Sequence, residues 1–590
     1  MRKTVIAGVM AACLIISGMC SSAYIGAEHL TVFAEEVQPS WKQSKKYTEG
    51  VLEFQYVADG YIQITQLLDD TVTEVEIPSH ITDEETGTEI PVTMINPGAF
   101  AGMEQLKTVT IPDTVTKIDT GAFSNCSGLV EIIGMASVER ISNSAFACCT
   151  SLKELHLPNT LTGIGNEAFT HCSALESLTI PGGVTYMGGC IASNCQNLKQ
   201  ITFSEGLQNV GDSFAYLCVN LESVSFPSTL KRIKTGAFSY SGLLTLDIPD
   251  NVTRVDCDAF TNCKRLTDVR LSSGMSIINM NCFMECTALE NIEIPESITV
   301  IGNTSFACCS SLQTVRLPES ITRIGEQAFY GTGIQNINLP AALTAIGSYA
   351  FYDCDALAEI TLPDTLESIG NFAFYDCDTL KEITLPASVT SFGGFVFDSC
   401  DALEKAEFLG KLEQIGIWTF ADCVHLTDVK LPTGLKTISK NAFYKCRALT
   451  TLDIPDTVTK VDAYAFSACS GLTELHLPSG ITEIGEYAFG YGEGANPSID
   501  KTIHVISDSP AVQQFVRENL ERVPENGDLD ADGTVSLTDV IVLQKHLHGL
   551  TTLTASETAA ADLNGDAAVD VFDLGLLKWV LVAAQNTEQS

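Results

Sequence analysis

Basic residues are scarce in this chain. Its 590 residues include 33 Lys and Arg against 73 Asp and Glu, so the formal net charge is −40. A surface that binds nucleic acid or an anionic membrane through charge needs clustered positive side chains. The composition therefore argues against both kinds of partner, and it suits a protein that works outside the cell and holds calcium.

Long apolar segments are missing beyond the N-terminus. Residues 1–34 are expected to be a signal peptide, with cleavage after Ala23 or Ala34, because Arg2 and Lys3 precede an apolar run that ends near Met19. A lipoprotein signal would use Cys20, but Met19 stands where Gly or Ala is expected. No later run reaches the roughly 18 residues that span a bilayer. We therefore expect a secreted, extracellular protein without membrane insertion, held at the cell surface through a partner.

Familiar catalytic and zinc motifs are absent as well. The sequence has no GxSxG, no HExxH and no CxxC paired with a second CxxC. A glycosidase needs two carboxylates across a cleft, and no segment outside the repeat described below has the length of a catalytic domain. We expect that the chain is not an enzyme.

What the sequence does contain is a repeat of 22 or 23 residues, present in 17 copies from Leu106 to about Gly490. A clean copy is 357–379, LAEITLPDTLESIGNFAFYDCDT. A period this short predicts a solenoid of stacked coils. Positions within a coil are numbered below from its first Leu or Ile.

The pattern within a coil predicts its local structure. Positions 1, 4 and 6 are apolar between polar residues, which indicates a short strand with one buried side. Position 7 is usually Pro, which ends the strand. Position 14 is often Gly, which suggests a sharp turn. Position 18 is Phe in 15 copies; Ala192 and Ala215 are the exceptions, and Phe214 is a candidate substitute.

Position 21 is Cys in 14 copies, so stacking the coils places the sulfur atoms in a column. A Cys at such a position is expected to be a small buried hydrophobe. Pairing of neighbours into disulfides stays open, because it would require strict geometry.

The recurring L-x-x-I-x-L-P, I-G and A-F-x-x-C resemble the BspA-type leucine-rich repeat of bacterial surface proteins. The resemblance implies a right-handed solenoid with a parallel sheet on its concave side, and it suggests adhesion or protein binding. Because the end coils need caps, we expect a linker at 35–46, an N-terminal cap at 47–105, the solenoid at 106–494 and a C-terminal cap at 495–525.

The remaining residues contain two acidic loops, each followed by an apolar helix. Oxygen-bearing side chains recur at positions 1, 3, 5, 9 and 12 of each loop, which is the spacing of a calcium loop. Asp stands at position 12, where an ordinary EF-hand has Glu. Two such units resemble a dockerin, a small all-α module with paired EF-hand-like loops that binds cohesins in cellulosomes, here at 526–585.

The resemblance implies two Ca²⁺ sites and one set of cohesin contacts. The implied calcium ligands are Asp528, Asp530, Asp532, Thr534, Ser536 and Asp539, then Asp562, Asn564, Asp566, Ala568, Asp570 and Asp573. The implied contacts with a cohesin-bearing scaffold protein are Leu537, Thr538, Gln544 and Lys545, then Val571, Phe572, Lys578 and Trp579. Leu537 and Val571 could instead belong to the module's core. The second site is expected to bind calcium more weakly, since Ala567 replaces the Gly that favours positive φ.

Position 16 changes character along the solenoid. It is polar or small in the first ten coils and aromatic in six of the last seven. The aromatic residues are Tyr349, Phe372, Phe395, Trp418, Tyr464 and Tyr487. They are either a ligand-binding stripe or a ladder that packs on itself.

Together these features predict a non-catalytic binding or adhesion subunit. A calcium-dependent dockerin would attach it to a cohesin of a cellulosome-like complex, and the solenoid would display a surface for an unknown protein or glycan. The alternative is a polysaccharide-degrading glycoside hydrolase of such a complex with an unrecognised active site.

Overall fold

The structure is a computed structural model. It describes residues 45–57, 60–489 and 503–516, and, nearer the C-terminus, 527, 529, 535–553, 558, 560–564, 568–571, 573–578 and 581. The expected signal peptide and most of the expected linker lie outside these residues.

The N-terminal part is a small sheet that joins the solenoid. Its strands are β1 (Lys46–Glu49), β2 (Leu52–Val57), β3 (Tyr61–Leu67), β5 (His80–Asp83) and β6 (Thr88–Ile95). Strands β1, β2 and β3 pair antiparallel in order, and β3 then pairs in parallel with β6. The sheet thereby changes from a meander to the parallel stacking of the coils.

Parallel strands at positions 3 to 6 of successive coils form what we call the primary ladder. The ladder has one buried side because apolar and polar side chains alternate along each strand. In 359–361 the Ile is buried between an exposed Glu and an exposed Thr. Its strands are β4 (Glu74–Glu76), β7 (Thr108–Ile111), β9 (Glu131–Gly134), β12 (Ser177–Ile180), β14 (Gln200–Phe203), β16 (Ser223–Ser225), β18 (Thr245–Asp247), β20 (Asp268–Arg270), β22 (Asn291–Glu293), β24 (Thr314–Arg316), β26 (Asn336–Asn338), β28 (Glu359–Thr361), β30 (Glu382–Leu385), β32 (Lys405–Phe408), β34 (Asp428–Lys430), β37 (Glu474–His476) and β39 (His504–Ile506).

Two-residue strands at positions 12 and 13 form a second parallel array, the secondary ladder. Its strands are β8 (Lys117–Ile118), β10 (Arg140–Ile141), β11 (Gly163–Ile164), β13 (Tyr186–Met187), β15 (Asn209–Val210), β17 (Arg232–Ile233), β19 (Arg254–Val255), β21 (Ile277–Ile278), β23 (Val300–Ile301), β25 (Arg323–Ile324), β27 (Ala345–Ile346), β29 (Ser368–Ile369), β31 (Ser391–Phe392), β33 (Gln414–Ile415), β35 (Thr437–Ile438), β36 (Lys460–Val461) and β38 (Glu483–Ile484). The parallel-sheet solenoid predicted from the repeat is confirmed.

One continuous core runs through the coils, and the position-18 Phe rings form its axis. Neighbouring rings stack, as between Phe351 and Phe374, whose centroids lie 5.3 Å apart at an interplanar angle of 2°. Where Ala192 and Ala215 interrupt the column, Phe214 is fully buried and meets the Phe203 ring edge-on at 5.1 Å. Phe214 therefore fills part of the space left by the alanines, as the sequence suggested.

The chain turns directly after position 14, as predicted, and the Ala350 amide donates to the Gly347 carbonyl at 3.4 Å across such a turn. Gly370, at that position, has no positive φ; instead, a Cβ there would lie 2.3 Å from the backbone nitrogen of Ser348 in the preceding coil. Glycine is needed because two backbones approach closely. The left-handed residues lie at positions 16 and 20, as at Tyr349 (φ 58°) and Asp353 (φ 59°).

Helices α1 and α2 lie after the last coils in the part of the chain that the structure describes. Helix α1 (Pro510–Phe515) begins with Ser509 as N-cap, and the Ser509 side chain accepts a hydrogen bond from the Val512 amide. Strand β39 pairs with β37, and Phe515 meets the buried Phe489 edge-on at 5.9 Å. Helix α2 (Leu537–Leu547) belongs to a second, separate core that includes Leu529, Val540, Leu543, Ala561 and Leu577.

Candidate functional sites

The two acidic loops have equivalent buried carboxylates at position 12. Asp539 has no exposed surface; its Oδ1 accepts from the Leu529 amide at 2.6 Å and its Oδ2 from the Ser536 amide at 2.7 Å. Ser536 caps helix α2, so Asp539 also completes a capping box. The carboxylate thus ties the start of its loop to the start of the helix.

Asp573 repeats this arrangement in the second loop. Its Oδ1 accepts from the Leu563 amide at 2.9 Å and its Oδ2 from the Asp570 amide at 2.8 Å, and it too is fully buried. Burial raises the pKa of Asp573, and the negative charge of Asp562 raises it further, although the backbone amides oppose both effects. A cation would relieve this unfavourable concentration of negative charge.

Only part of the predicted ligand set lies within the described residues. Ser536, Asp539, Asp562, Asn564, Ala568, Asp570 and Asp573 are described, whereas Asp528, Asp530, Asp532, Thr534 and Asp566 are not. No group of three His, Cys, Asp or Glu side chains converges on a metal position in the part of the chain that is described. The donor chemistry of the full set, carboxylate, amide, hydroxyl and carbonyl oxygen, fits a hard cation such as Ca²⁺.

The predicted cohesin contacts that are described lie on the surface. Leu537 is 68% exposed and Val571 is 65% exposed, so the alternative that they belong to the module's core is wrong. Thr538, Lys545 and Lys578 are also exposed, and Gln544 is half-buried. Phe572 and Trp579 lie outside the described residues. Large exposed apolar side chains beside lysines are typical of an interaction surface.

The aromatic residues at position 16 stack on one another. The centroids of Tyr349 and Phe372 lie 4.7 Å apart, those of Phe372 and Phe395 4.4 Å apart, and those of Phe395 and Trp418 5.7 Å apart, with planes within 12° of parallel. The rings of Phe372 and Phe395 therefore have both faces against neighbouring rings, whereas Tyr349 and Trp418 each have one face stacked. For these four residues the geometry matches the alternative of an aromatic ladder that packs on itself.

The stripe is interrupted at Asn441 and resumes with Tyr464 and Tyr487, whose tilted rings lie 5.2 Å apart. Tyr487 is 43% exposed, and the other five aromatic residues of the stripe are half-buried. Ligand binding by the stripe stays a prediction.

A carboxyl group that the sequence reading missed lies next to this stripe. Asp398, at position 19 between the coils of Tyr375 and Ala421, is only 6% exposed. Burial, together with the charges of Asp422 and Asp376, raises its pKa to about 7. The one signal in the sequence is a carboxylate in a column that otherwise holds Tyr330, Tyr352, Tyr375, Ala421, Tyr444 and Ser467 in this half of the solenoid.

The position-21 cysteines are buried thiols, each of which donates to a backbone carbonyl of the preceding coil. The Cys377 Sγ lies 3.1 Å from the Phe351 oxygen, and the Cys423 Sγ lies 3.0 Å from the Phe397 oxygen. Burial raises the thiol pKa, for Cys354 to about 12. The column is therefore a structural hydrogen-bonding feature of the core.

Comparisons with known proteins give two family matches. The BspA type leucine rich repeat region matches in six overlapping copies that together span residues 84–510, and the dockerin type I domain matches residues 526–581. No curated protein matches the chain.

Among solved structures, a leucine-rich repeat protein from Bacteroides ovatus is 23% identical with a TM-score of 0.34, covering 78% of this chain and 99% of that one. A leucine rich cell surface protein from Faecalibacterium prausnitzii is 24% identical with a TM-score of 0.30, covering 76% and 95%. At these TM-scores neither likeness carries an argument about function.

Proposed function

Because the chain belongs to the BspA-type leucine-rich-repeat family and carries a type I dockerin domain, we propose that it is an extracellular binding subunit without catalytic activity. Type I dockerin domains are generally calcium-binding and imply a cohesin-bearing partner. The dockerin of this chain attaches it to a cohesin of a cellulosome-like complex, and the solenoid displays a binding surface.

The observation that carries this proposal is the equivalence of Asp539 and Asp573. Each buried carboxylate bridges the second and the ninth residue of its own loop, which fits a pair of EF-hand-like loops. We propose that the twelve loop residues named from the sequence hold two Ca²⁺ ions, the second more weakly. Calcium supplies the positive charge that these loops lack.

The exposed Leu537, Lys545, Val571 and Lys578 support a cohesin-binding face on the same module. We propose that they contact the cohesin together with Thr538, Gln544, Phe572 and Trp579. The proposed organisation is a signal peptide at 1–34, a linker at 35–46, caps at 47–105 and 495–525 around the solenoid at 106–494, and the dockerin at 526–585.

We propose secretion followed by cell-surface attachment through the cohesin. No helix within the described ranges is long and apolar enough to cross a membrane. A reducing-sugar assay on plant polysaccharides separates the binding subunit from the glycoside hydrolase alternative, because only an enzyme releases sugar.

The test uses the full chain without its signal peptide. Isothermal titration with CaCl₂ is expected to show calcium uptake, and a panel of immobilised type I cohesins is expected to capture the chain in calcium but not in EDTA. Asp539→Ala should abolish capture, whereas Asp364→Ala, a change at an exposed solenoid carboxylate, should leave it unchanged. Absence of calcium uptake, or capture unchanged by EDTA, contradicts the proposal.

A further inference from the structure

One row of side chains lies on the outer side of the secondary ladder, at position 12 of six successive coils. In β10 and β19 the residue at position 13 is buried and the residue at position 12 is exposed, because neighbouring side chains of a strand point to opposite sides. With strands about 4.8 Å apart, six coils give a row about 24 Å long. We call this the outer row, and its members are Arg140, Gly163, Tyr186, Asn209, Arg232 and Arg254.

Two arginines at one end of the outer row share a single buried carboxylate. Arg232 and Arg254 lie opposite each other in the pairing of β17 with β19. The Arg232 Nε donates to Asp256 Oδ2 at 2.8 Å and the Arg254 Nε to Asp256 Oδ1 at 2.5 Å, and Asp256 is only 4% exposed. The carboxylate fixes both guanidinium groups side by side but neutralises only one of their two positive charges.

The excess of positive charge extends to the residues beside this pair. Lys231 is exposed and forms no ion pair among the residues that the structure describes, and Lys234 lies 3.4 Å from Asp212. Positions 11 to 15 of the six coils hold five basic residues against three acidic ones, Glu139, Asp212 and Asp256. This region is therefore locally cationic in a chain of net charge −40, and at physiological salt charges more than about 8 Å away are largely screened.

The other end of the outer row combines a third arginine with an aromatic ring. Arg140 is exposed and forms no ion pair within residues 60–489, and Tyr186 is 53% exposed, more than any other Phe, Tyr or Trp side chain in the described ranges. A Cβ on Gly163 would lie 3.7 Å from Arg140 Nε and 3.8 Å from Tyr186 Cδ1. The glycine therefore lets both side chains lie over the same strand, and the exposed Asn209 leads from Tyr186 to the paired arginines.

We propose that the outer row binds an extended polysaccharide that bears carboxylate groups. Arginine donates paired hydrogen bonds that match the two oxygens of a carboxylate, and a tyrosine ring provides an apolar face beside a polar hydroxyl, which suits a sugar ring. Cations at both ends with uncharged residues between them fit a chain whose charges are spaced apart. Duplex DNA, with one charge per about 1.7 Å, would place phosphates against Tyr186 and Asn209. The proposal names the ligand class of the display surface and rests on that role of the solenoid.

The experiment measures binding of the full chain, without its signal peptide, to immobilised polygalacturonate by biolayer interferometry. The buffer contains EDTA, so that calcium cannot bridge the polysaccharide to acidic side chains. No cohesin is present, so failure here and failure of the docking proposal are separate results. Polygalacturonate is expected to bind, and its methyl ester, which has the same sugar rings without charge, is expected to bind at least about tenfold more weakly. No binding, or equal binding of the ester or of duplex DNA, overturns the proposal.

Two charge variants locate the site. Arg254→Gln and Arg140→Gln should each weaken binding by about tenfold, because each removes one charge-assisted hydrogen bond to the ligand. The matched change is Arg316→Gln, at an exposed arginine of the primary ladder whose Nη1 lies 3.3 Å from Glu293, and it should leave binding unchanged. Arg140→Gln remains informative if Arg254→Gln unfolds the chain, because Arg254 holds the buried Asp256 whereas Arg140 is exposed.

A third variant tests the aromatic contact. Tyr186→Ala should weaken binding of polygalacturonate by about threefold or more. Its control, Tyr487→Ala, changes a tyrosine that is 43% exposed near the far end of the solenoid and should leave binding unchanged. Melting temperatures check that each variant is folded. Full binding by both Arg140→Gln and Tyr186→Ala, or equal losses from the control variants, overturns the proposal.

Discussion

Asp398→Asn should stabilise the solenoid more at alkaline pH than at acidic pH. The Asp398 carboxyl is buried, and the negative charges of Asp376 and Asp422 face it. Its favourable contacts are weaker: the Ser399 hydroxyl donates to it at 3.3 Å, and Lys445 is already paired with Asp422 at 3.1 Å. The amide of Asn can keep the hydrogen bond from Ser399 without carrying a charge.

The magnitude follows from the two pKa values. The unfolded chain releases the Asp398 proton near 3.8, whereas the folded chain holds it to about 7. Between these values the folded state binds more protons, so stability falls as pH rises. Three pKa units correspond to about 4 kcal/mol, reached only above pH 7, and to about 1.5 kcal/mol at pH 5. We therefore expect Asn to gain about 2.5 kcal/mol more at pH 8 than at pH 5.

The assay is equilibrium urea unfolding followed by far-UV circular dichroism at pH 5 and pH 8, comparing each variant with the parent chain at the same pH. Asp364→Asn removes an exposed carboxylate one coil earlier and serves as the control, with equal and small effects at both values. If Asp398→Asn gives the same change at pH 5 and pH 8, or destabilises at pH 8, the reasoning about its burial is wrong.

Three further predictions use simpler measurements. Ala567→Gly should tighten the weaker calcium site, because the position favours positive φ; calorimetric titration of both sites checks this, and unchanged affinities would count against it. Maleimide should label most cysteines under non-reducing denaturing conditions but few in the folded chain, since burial raises the pKa of the position-21 thiols; labelling of fewer than half after denaturation would indicate disulfides. Changing Phe372, Phe395 and Trp418 together to Ser should lower the melting temperature, because stacked rings contribute about 0.5–1.5 kcal/mol per pair, and should leave binding of the solenoid's protein or glycan ligand unchanged. Loss of that binding with an intact fold would support the binding stripe instead.

The features predicted correctly from the sequence are those that depend on neighbours along the chain. Alternation of apolar and polar residues determines which side of a strand is buried, as at 359–361. The local sequence does not show why residue 370 is Gly. The backbone that leaves no space for a side chain there belongs to Ser348 in the preceding coil. Likewise, the burial of Asp398 depends on the coils before and after it.

Departures from the repeat accompany three gaps in the secondary ladder, where β13 does not pair with β15, β19 with β21, or β31 with β33. Four coils lack Pro at position 7, yet only three follow a gap, so loss of Pro alone does not open the secondary ladder. The coil with Met135 keeps its pairing, through Arg140 with Lys117 and Ile141 with Ile118.

The three coils that follow a gap also have Gly at position 8 or 9, as Gly206, Gly274 and Gly410, whereas the Met135 coil has Ala and Ser there. In all three the glycine lies against the preceding coil: a Cβ would lie 2.9 Å from Gly182 O on Gly206, 2.5 Å from Asp250 O on Gly274, and 3.2 Å from Ala387 Cα on Gly410. Close approach of this glycine alone does not open the ladder, because a Cβ on Gly434 would lie 3.3 Å from Lys411 O and its coil keeps the pairing of β35 with β33. The combination of a missing Pro at position 7 and a Gly at position 8 or 9 therefore marks each gap in the secondary ladder.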